Sequence, residues 1–384
     1  MNIPTRSFFV LSGVLGGSLA VSGLQSASPI DRLTVPPGFH LSVFAEKVDN
    51  AREMALGPQG TVFVGSRTAG KVHAIVDTNG DYKADRVVVI ATGLDQPNGV
   101  AMRNGALYVA TASRLLRFDD IERHLDAPQP PVTVRDDLPN PKAGHTWKFI
   151  AFGPDDLLYM SVGAPCNVCL SPPMVSSIVR MKPDGSGMEV FADGVRNSVG
   201  FDWHPTTREL WFTDNGRDLM GDDVPNDELN VAAKPGLHFG FPFCHQGDVP
   251  DPEFGAQRAC SATEPPVHKL GPHVAAVGMA FYTGAMFPDA YRNAAIIALH
   301  GSWNRSRPSG YSVMAAHTDG RRVTTYEPLV DGFLPGIKSG GAPGGWGAGK
   351  AALGRPADVL QMPDGSVLIS DDAANRLIRV SYSR

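Results

Sequence analysis

Six times along this chain a tight polar turn leads into a short apolar run, and that recurrence restricts the fold more than any other feature. The turns are Gly57-Pro58-Gln59-Gly60 before residues 61–65, Arg103-Asn104-Gly105 before 107–110, and Gly153-Pro154-Asp155-Asp156 before 157–162. His204-Pro205-Thr206-Thr207 before 210–213, Tyr291-Arg292-Asn293 before 295–299 and Pro363-Asp364-Gly365 before 366–370 complete the series. Gly, Pro, Asn and Asp supply the backbone angles that tight turns demand, and runs of this length fit strands, not helices. Several units continue after a polar kink into a second alternating run, as at residues 71–76, 177–181 and 376–380. A spacing of about 50 residues early on, stretched later by insertions, suits four-stranded blades better than a sandwich. The expected fold is therefore an all-β, six-bladed β-propeller of four-stranded antiparallel blades. The alternating stretch 39–48 is expected to supply a closing strand to the last blade, and residues 119–125 hold the main helix signal. Two long Gly- and Pro-rich stretches, 242–272 and 331–353, read as loops at the mouth of the central channel.

Composition agrees with a turn-rich β chain: 42 glycines and 32 prolines in 384 residues, enough chain for two ordinary domains or one large ring. A net charge of −5 with interspersed signs provides no basic stripe, which argues against a nucleic-acid partner. The amino terminus carries Arg6, an apolar stretch over 8–24 broken by glycines, and small or polar residues at Gln25, Ser26 and Ala27. This is the layout of a secretory signal over residues 1–27, with a single propeller over 28–384 and a periplasmic or secreted location. The competing reading, a permanent membrane anchor, suffers from a stretch that is short and rich in glycine. Four cysteines in an exported chain suit two bridges, with three connectivities open. Local pairing of Cys166 with Cys169 and Cys244 with Cys260 is favoured by proximity, the second worth about 3 kcal/mol in a chain-entropy account. Leu170, not histidine, follows Cys169, so there is no c-type haem attachment, and electrons would leave to a separate carrier.

Chemistry-bearing residues gather between Gly194 and Asn230. Arg196 and Asn197 are natural donors to carboxylates and carbonyl oxygens, and the following acid-rich stretch holds Asp214, Asn215, Gly216, Arg217, Asp222, Asp223, Asp227, Glu228 and Asn230. A glycine turn among carboxylates offers oxygens to a hard cation such as calcium, although the order of acids matches no EF-hand. The plain alternatives are blade-to-blade hydrogen bonding and a solvated turn. His145, beside Gly144 and ahead of the third unit, is a candidate base for a substrate hydroxyl, against the plain reading of a packing histidine. Trp303, Asn304 and Arg305 follow the fifth unit's apolar run, where an aromatic face and a charge could meet a planar ring. Arg355, ahead of the sixth unit, is a further anion donor or else a surface ion pair. No Gly-x-Ser-x-Gly elbow, phosphate-binding loop or His-Glu-x-x-His stretch is present.

Taken in order, the Gly144-His145 turn and residues 161–169, 194–205, 211–230, 239–245, 300–305 and 354–358 resemble the quinoprotein glucose/sorbosone dehydrogenase family, nearest to its L-sorbosone dehydrogenase-like branch. The resemblance implies a propeller that binds pyrroloquinoline quinone (PQQ) and Ca2+ and oxidises a sugar, a sugar aldehyde or a polyol by hydride transfer to the quinone C5. Electrons would pass to an external quinone or cytochrome. It also implies roles: His145 as base, Arg196 and Asn197 on the quinone oxygens, Arg355 on a cofactor carboxylate, and the Trp303, Asn304 and Arg305 segment along the cofactor or substrate. Gly216 and Arg217 would give main-chain carbonyls to calcium, with Asp227 and Glu228 as neighbouring ligands. One departure is Ala164, standing where glucose-oxidising relatives have the aspartate that orients the histidine; a lysine expected near the fifth unit is also replaced. Two other readings follow from a propeller with these departures: a calcium-dependent lactonase or esterase, and a non-catalytic carbohydrate- or partner-binding propeller.

Overall fold

In this computed structural model the described residues are 1, 29–335 and 351–384. The expected signal segment and the middle of the 331–353 stretch lie outside them. Each of the six turns connects the first two strands of a sheet built on four antiparallel strands, and the six sheets form the blades of a propeller; the third alone adds a fifth, parallel strand, Leu237–His238. The innermost strands are Ala51–Leu56, Gly99–Arg103, Ile150–Phe152, Phe201–Trp203, Ala276–Phe281 and Pro356–Gln361. The ring closes as expected from the alternation at 39–48: Phe39–Glu46 pairs antiparallel with Arg376–Tyr382 of the last blade. The helix signal at 119–125 amounts to a single 3-10 turn, Ile121–Arg123.

Second strands such as Val62–Ser66 and Leu158–Val162 are buried at every position. Both faces of a blade pack on neighbouring blades, so an inner strand reads as a continuous apolar run and alternation survives only toward the rim. The core is accordingly six wedges, one between each pair of adjacent blades. At the seam Phe39 makes edge contacts with Phe287, Tyr291 and Tyr382, joining the amino-terminal strand to the fifth and sixth blades.

Around the axis the blades are also joined by buried carboxylates that accept backbone N–H groups of other blades. Asp358 Oδ2 accepts from Met54 at 2.8 Å, Asp202 Oδ2 from Phe281 at 2.8 Å, and Glu53 from Ile150 at 3.2 Å. Burial pushes Asp202 up to about 6 and Asp358 up to about 7, so these groups approach neutrality while serving as acceptors.

The fourth blade corrects two sequence expectations. The 242–272 stretch is not all loop, since His268–Pro272 is the blade's outer strand. The acid-rich stretch is not one loop either: Asp214 ends the second strand and Asp227, Glu228 and Asn230 lie on the third, Asn226–Ala232, all buried. Acids disfavour strands when solvated, but here backbone and amide donors satisfy them, so the tertiary setting overrides the local preference.

Candidate functional site

In an antiparallel blade the start of the first strand and the end of the second lie at the same edge. Residues at these positions in different blades therefore meet at one end of the ring. They enclose a cavity of about 330 Å³ lined by four arginines (Arg52, Arg67, Arg196, Arg355), three histidines (His145, His273, His300), Trp147 and Trp303, among others. Of the residues singled out from sequence, His145, Arg196, Asn197, Asn215, Gly216, Asp227, Trp303, Asn304 and Arg355 line it; Asp214, Arg217, Asp222, Asp223, Glu228, Asn230 and Arg305 do not.

His145 Nδ1 lies 3.0 Å from the carbonyl oxygen of Ala164, and the His145 amide donates to the same oxygen at 3.1 Å. The backbone of residue 164 thus does the orienting expected of an aspartate side chain. It fixes the Nδ1–H tautomer and leaves the Nε2 lone pair uncommitted. Burial, then the nearby Arg196 and Arg67 cations, pull His145 down to about 3, so the imidazole is neutral throughout the physiological range.

Arg196 is almost wholly buried. Asp214 grips the backbone here, taking the Arg196 amide on Oδ2 at 2.8 Å and the Asn197 amide on Oδ1 at 2.6 Å, while burial pushes its own carboxyl up to about 7. The Arg196 guanidinium pairs with Asp218 at 3.0 Å and donates to Asn167 at 2.9 Å from both Nε and Nη2. Asp218 also accepts from Asn304 Nδ2 at 2.6 Å. Arg355 donates Nε to the His300 carbonyl at 2.9 Å and Nη2 to that of Gly301. Trp303 stands at the mouth, 56% exposed.

Arg67 is different. Among the described residues its guanidinium has no carboxylate in ion-pair range, and it stacks 3.8 Å from the Trp147 ring centroid. The Trp147 indole N–H is buried with no partner among the described residues. Opposite lies a second histidine: His300 Nε2 is 2.9 Å from Asp372 Oδ1, and Arg52 pairs with the other Asp372 oxygen at 2.9 Å. Burial carries His300 down to about 4 despite that carboxylate.

The acid-rich stretch divides between cavity wall and interior. Asp227 takes the Gly216 amide at 2.9 Å and the Ala276 amide at 3.2 Å, which fixes the Gly216 turn at the cavity. The Arg217 side chain turns instead to buried Asp251, which His245 also contacts at 2.8 Å. Glu228 faces the blade interior, held by the Gln246 amide at 2.6 Å and Asn230 at 2.9 Å, with burial pushing it up to about 8. Arg305 braces the neighbouring loop through the Asp222 carbonyl at 2.7 Å and Asp223 at 2.6 Å. Among the described residues no group of three or more His, Cys, Asp or Glu side chains is arranged to hold a metal, so a cation at this wall would depend on carbonyl oxygens beside Gly216 and Asp227.

The donor set fits a planar polyanion: four guanidiniums, two of them (Arg67 and Arg355) without an acid partner in ion-pair range among the described residues, beside an indole face and a buried indole N–H unpartnered among those residues. Sequence reasoning missed Arg52, Arg67, Trp147, Asp218 and Asp372. A register signal was available for two of them. The residue just after each unit's second strand is Arg67, Thr111, Gly163, Asn215, His300 or Asp372, and three of these six line the cavity. Asp372 holds His300, and Gly163 abuts His145.

Residues 33–329 match the TrAA12-like family model. A Borreliella burgdorferi protein described as uncharacterized is 31% identical over 369 residues, covering 92% of this chain and 91% of its own length. The Escherichia coli aldose sugar dehydrogenase YliI is 28% identical over 208 residues; the match spans 52% of this chain and less than half, 46%, of that relative. Two solved structures share the fold. The holo PQQ domain of Coprinopsis cinerea pyranose dehydrogenase has a TM-score of 0.74 at 17% identity, with 91% of this chain and 97% of that one covered. A calcium structure of the Trichoderma reesei family AA12 carbohydrate-active enzyme has a TM-score of 0.75 at 17% identity, with 94% and 100% covered.

Proposed function

The chain belongs to the TrAA12-like family, and from that membership we propose that it is an exported quinoprotein. On this reading it oxidises a sugar, a sorbosone-like sugar aldehyde or a polyol with PQQ and Ca2+ and hands electrons to an external quinone or cytochrome. The observation that carries the proposal is the convergence of four guanidiniums and one neutral, backbone-oriented histidine on a single cavity. Relatives with sugar-dehydrogenase names, one described as a holo PQQ domain and one as a calcium structure, support the same reading.

When bound, PQQ supplies a hydride acceptor and calcium polarises its quinone oxygen. Arg67 and Arg355 would supply charge to its carboxylates, and Arg196 with Asn197 would supply donors to its quinone oxygens. His145 Nε2 receives the substrate hydroxyl proton. A base with so low a pKa is weak; burial is the larger cause, and an anion beside Arg196 and Arg67 offsets the remaining, cationic part of the depression and so raises its proton affinity. Trp303 offers an apolar face at the mouth to a sugar ring. The lactonase reading needs a cage of side-chain carboxylates, which the described residues lack. The binding-only reading rested on Ala164, whose carbonyl orients His145.

The test is a titration of PQQ into calcium-loaded apoprotein, followed by dye reduction across a panel of aldoses, sugar aldehydes and polyols. His145→Ala is expected to bind PQQ and lose turnover, whereas Arg196→Ala is expected to lose binding. Absence of both PQQ binding and dye reduction in the unaltered protein would sink the proposal. Because His300 with Asp372 presents a second imidazole, His300→Asn is measured alongside: if it abolishes turnover while His145→Ala does not, the base is His300.

A further inference from the structure

Asn167 lies between the two half-cystines of the Cys166–Cys169 bridge and sends four hydrogen bonds into the cavity wall. Its carbonyl accepts from Arg196 Nε at 2.9 Å, and its Oδ1 accepts from Arg196 Nη2 at 2.9 Å and from the Asp218 amide at 2.7 Å. Its Nδ2 donates to the Asp218 carbonyl at 2.9 Å. Asp218 closes the circuit by taking Arg196 Nη2 on one oxygen and Asn304 on the other. A guanidinium is a rigid planar fork, so two bonds from Nε and Nη2 to one residue fix both its position and its plane. The same short loop carries Ala164, the residue that orients His145. One loop therefore sets the anion donor and the candidate base together.

A bridge between cysteines three apart closes a very small loop, and the entropy it removes from the unfolded chain is correspondingly small. The Cys244–Cys260 bridge, with a separation of 16, is the better global staple. The value of the shorter bridge is local: it limits the conformations open to Asn167. We propose that Asn167 is a positioning residue for Arg196 and that the Cys166–Cys169 bridge is its clip, so that the cavity holds an anionic ligand at full affinity only when the bridge is formed. Naming PQQ as that ligand rests on the function proposed above, whereas the clip itself concerns Arg196 and His145 in the ligand-free protein.

The experiment compares the calcium-loaded mature protein with Asn167→Ala, with the pair Cys166→Ser and Cys169→Ser, and with Val168→Ala as a control in the same loop. Three readouts are taken: PQQ affinity by absorbance titration, the His145 ring titration by NMR without PQQ, and the thermal midpoint. Because Arg196 depresses His145, a guanidinium released from its place raises the His145 pKa, which a merely stabilising residue would not do. Asn167→Ala and the serine pair are expected to weaken PQQ binding at least tenfold and to raise the His145 titration, with Val168→Ala unchanged in both. Unaltered His145 titration and PQQ affinity in Asn167→Ala overturn the positioning role. A serine pair that folds and matches the unaltered protein, while Asn167→Ala does not, overturns the clip. Failure of the unaltered protein to bind PQQ removes the proposed cofactor, and the His145 titration still decides the clip. If the serine pair does not fold, Asn167→Ala decides the positioning role, and the pair Cys166→Ala and Cys169→Ala, read the same way, decides the clip.

Discussion

Four arginines share the cavity but not the same circumstances, and this separates their expected contributions. Arg52 and Arg196 are tied to carboxylates, and removing either leaves partly buried Asp372 or Asp218 without its cation. Arg67 has no such partner, and although burial and Arg52 bring it down to about 10 it remains a cation at neutral pH. Arg67→Ala is therefore expected to weaken PQQ binding by about 10- to 100-fold, the worth of one charge-assisted contact, with the thermal midpoint nearly unchanged. Arg196→Ala should lower both affinity and midpoint. Equal midpoint losses for the two variants would show that Arg67 has a structural partner. Lys148 gives the pH prediction. It is fully buried, its ammonium has one acceptor, the Thr146 carbonyl at 3.1 Å, and burial pulls it down to about 7. Between pH 7 and the ordinary lysine value the unfolded chain binds more protons than the folded one, so this group's penalty is largest below pH 7 and fades as pH rises. Lys148→Met is expected to stabilise the protein by about 2 kcal/mol at pH 6 and by much less at pH 9, measured by denaturant titration at both. A destabilised variant at pH 6 would reveal a counter-charge.

At the scale of the element, strand ends decide where the chemistry sits. Gly163 follows the third blade's second strand, and a Cβ there would lie 2.5 Å from His145 Cβ and 2.8 Å from its carbonyl oxygen. Gly163→Ala must push the His145 turn aside. We expect kcat to fall at least tenfold with PQQ affinity changed far less; steady-state kinetics beside the PQQ titration checks this, and an unchanged kcat would mean that the turn yields without consequence. The six turns and their apolar runs were legible because turn residues and strand-length runs are local signals. Asp227 and Glu228 were misread as loop because their partners, the amides of Gly216, Ala276 and Gln246, belong to other segments. Arg67 and Asp372 went unnoticed for a related reason: each is an ordinary polar residue until blade register puts it at the cavity end of its strand. Ala164 was conspicuous for the side chain it lacks, while its contribution comes from a carbonyl that every residue type possesses.

For the whole molecule, the question is what keeps the ring closed, since a cavity built from all round the ring exists only while its blades stay in register. Five of the six wedges join blades that are consecutive in sequence. The sixth lies between the first blade and the sixth, whose outer strand Phe39–Glu46 pairs with Arg376–Tyr382, and its contacts have the largest loop-closure cost. Phe39 anchors the terminal strand that completes the sixth blade, touching aromatic rings of the fifth and sixth blades. Phe39→Ala removes a buried ring from a close-packed wedge and is expected to cost about 3–5 kcal/mol. An equally buried phenylalanine between consecutive blades, Phe63, is the comparison. A similar loss in overall stability is expected from Phe63→Ala, but only the seam variant should bring early hydrogen exchange in both terminal strands. Release of the terminal strand also withdraws Phe44 and Ala45 from the wedge between the sixth blade, with Arg355 and Asp372, and the first, with Arg52 and Arg67, so PQQ binding is expected to protect the terminal strands in return. Exchange measured with and without PQQ in Phe39→Ala tests the coupling, and terminal strands indifferent to the ligand would mean that the ring closes independently of its cavity.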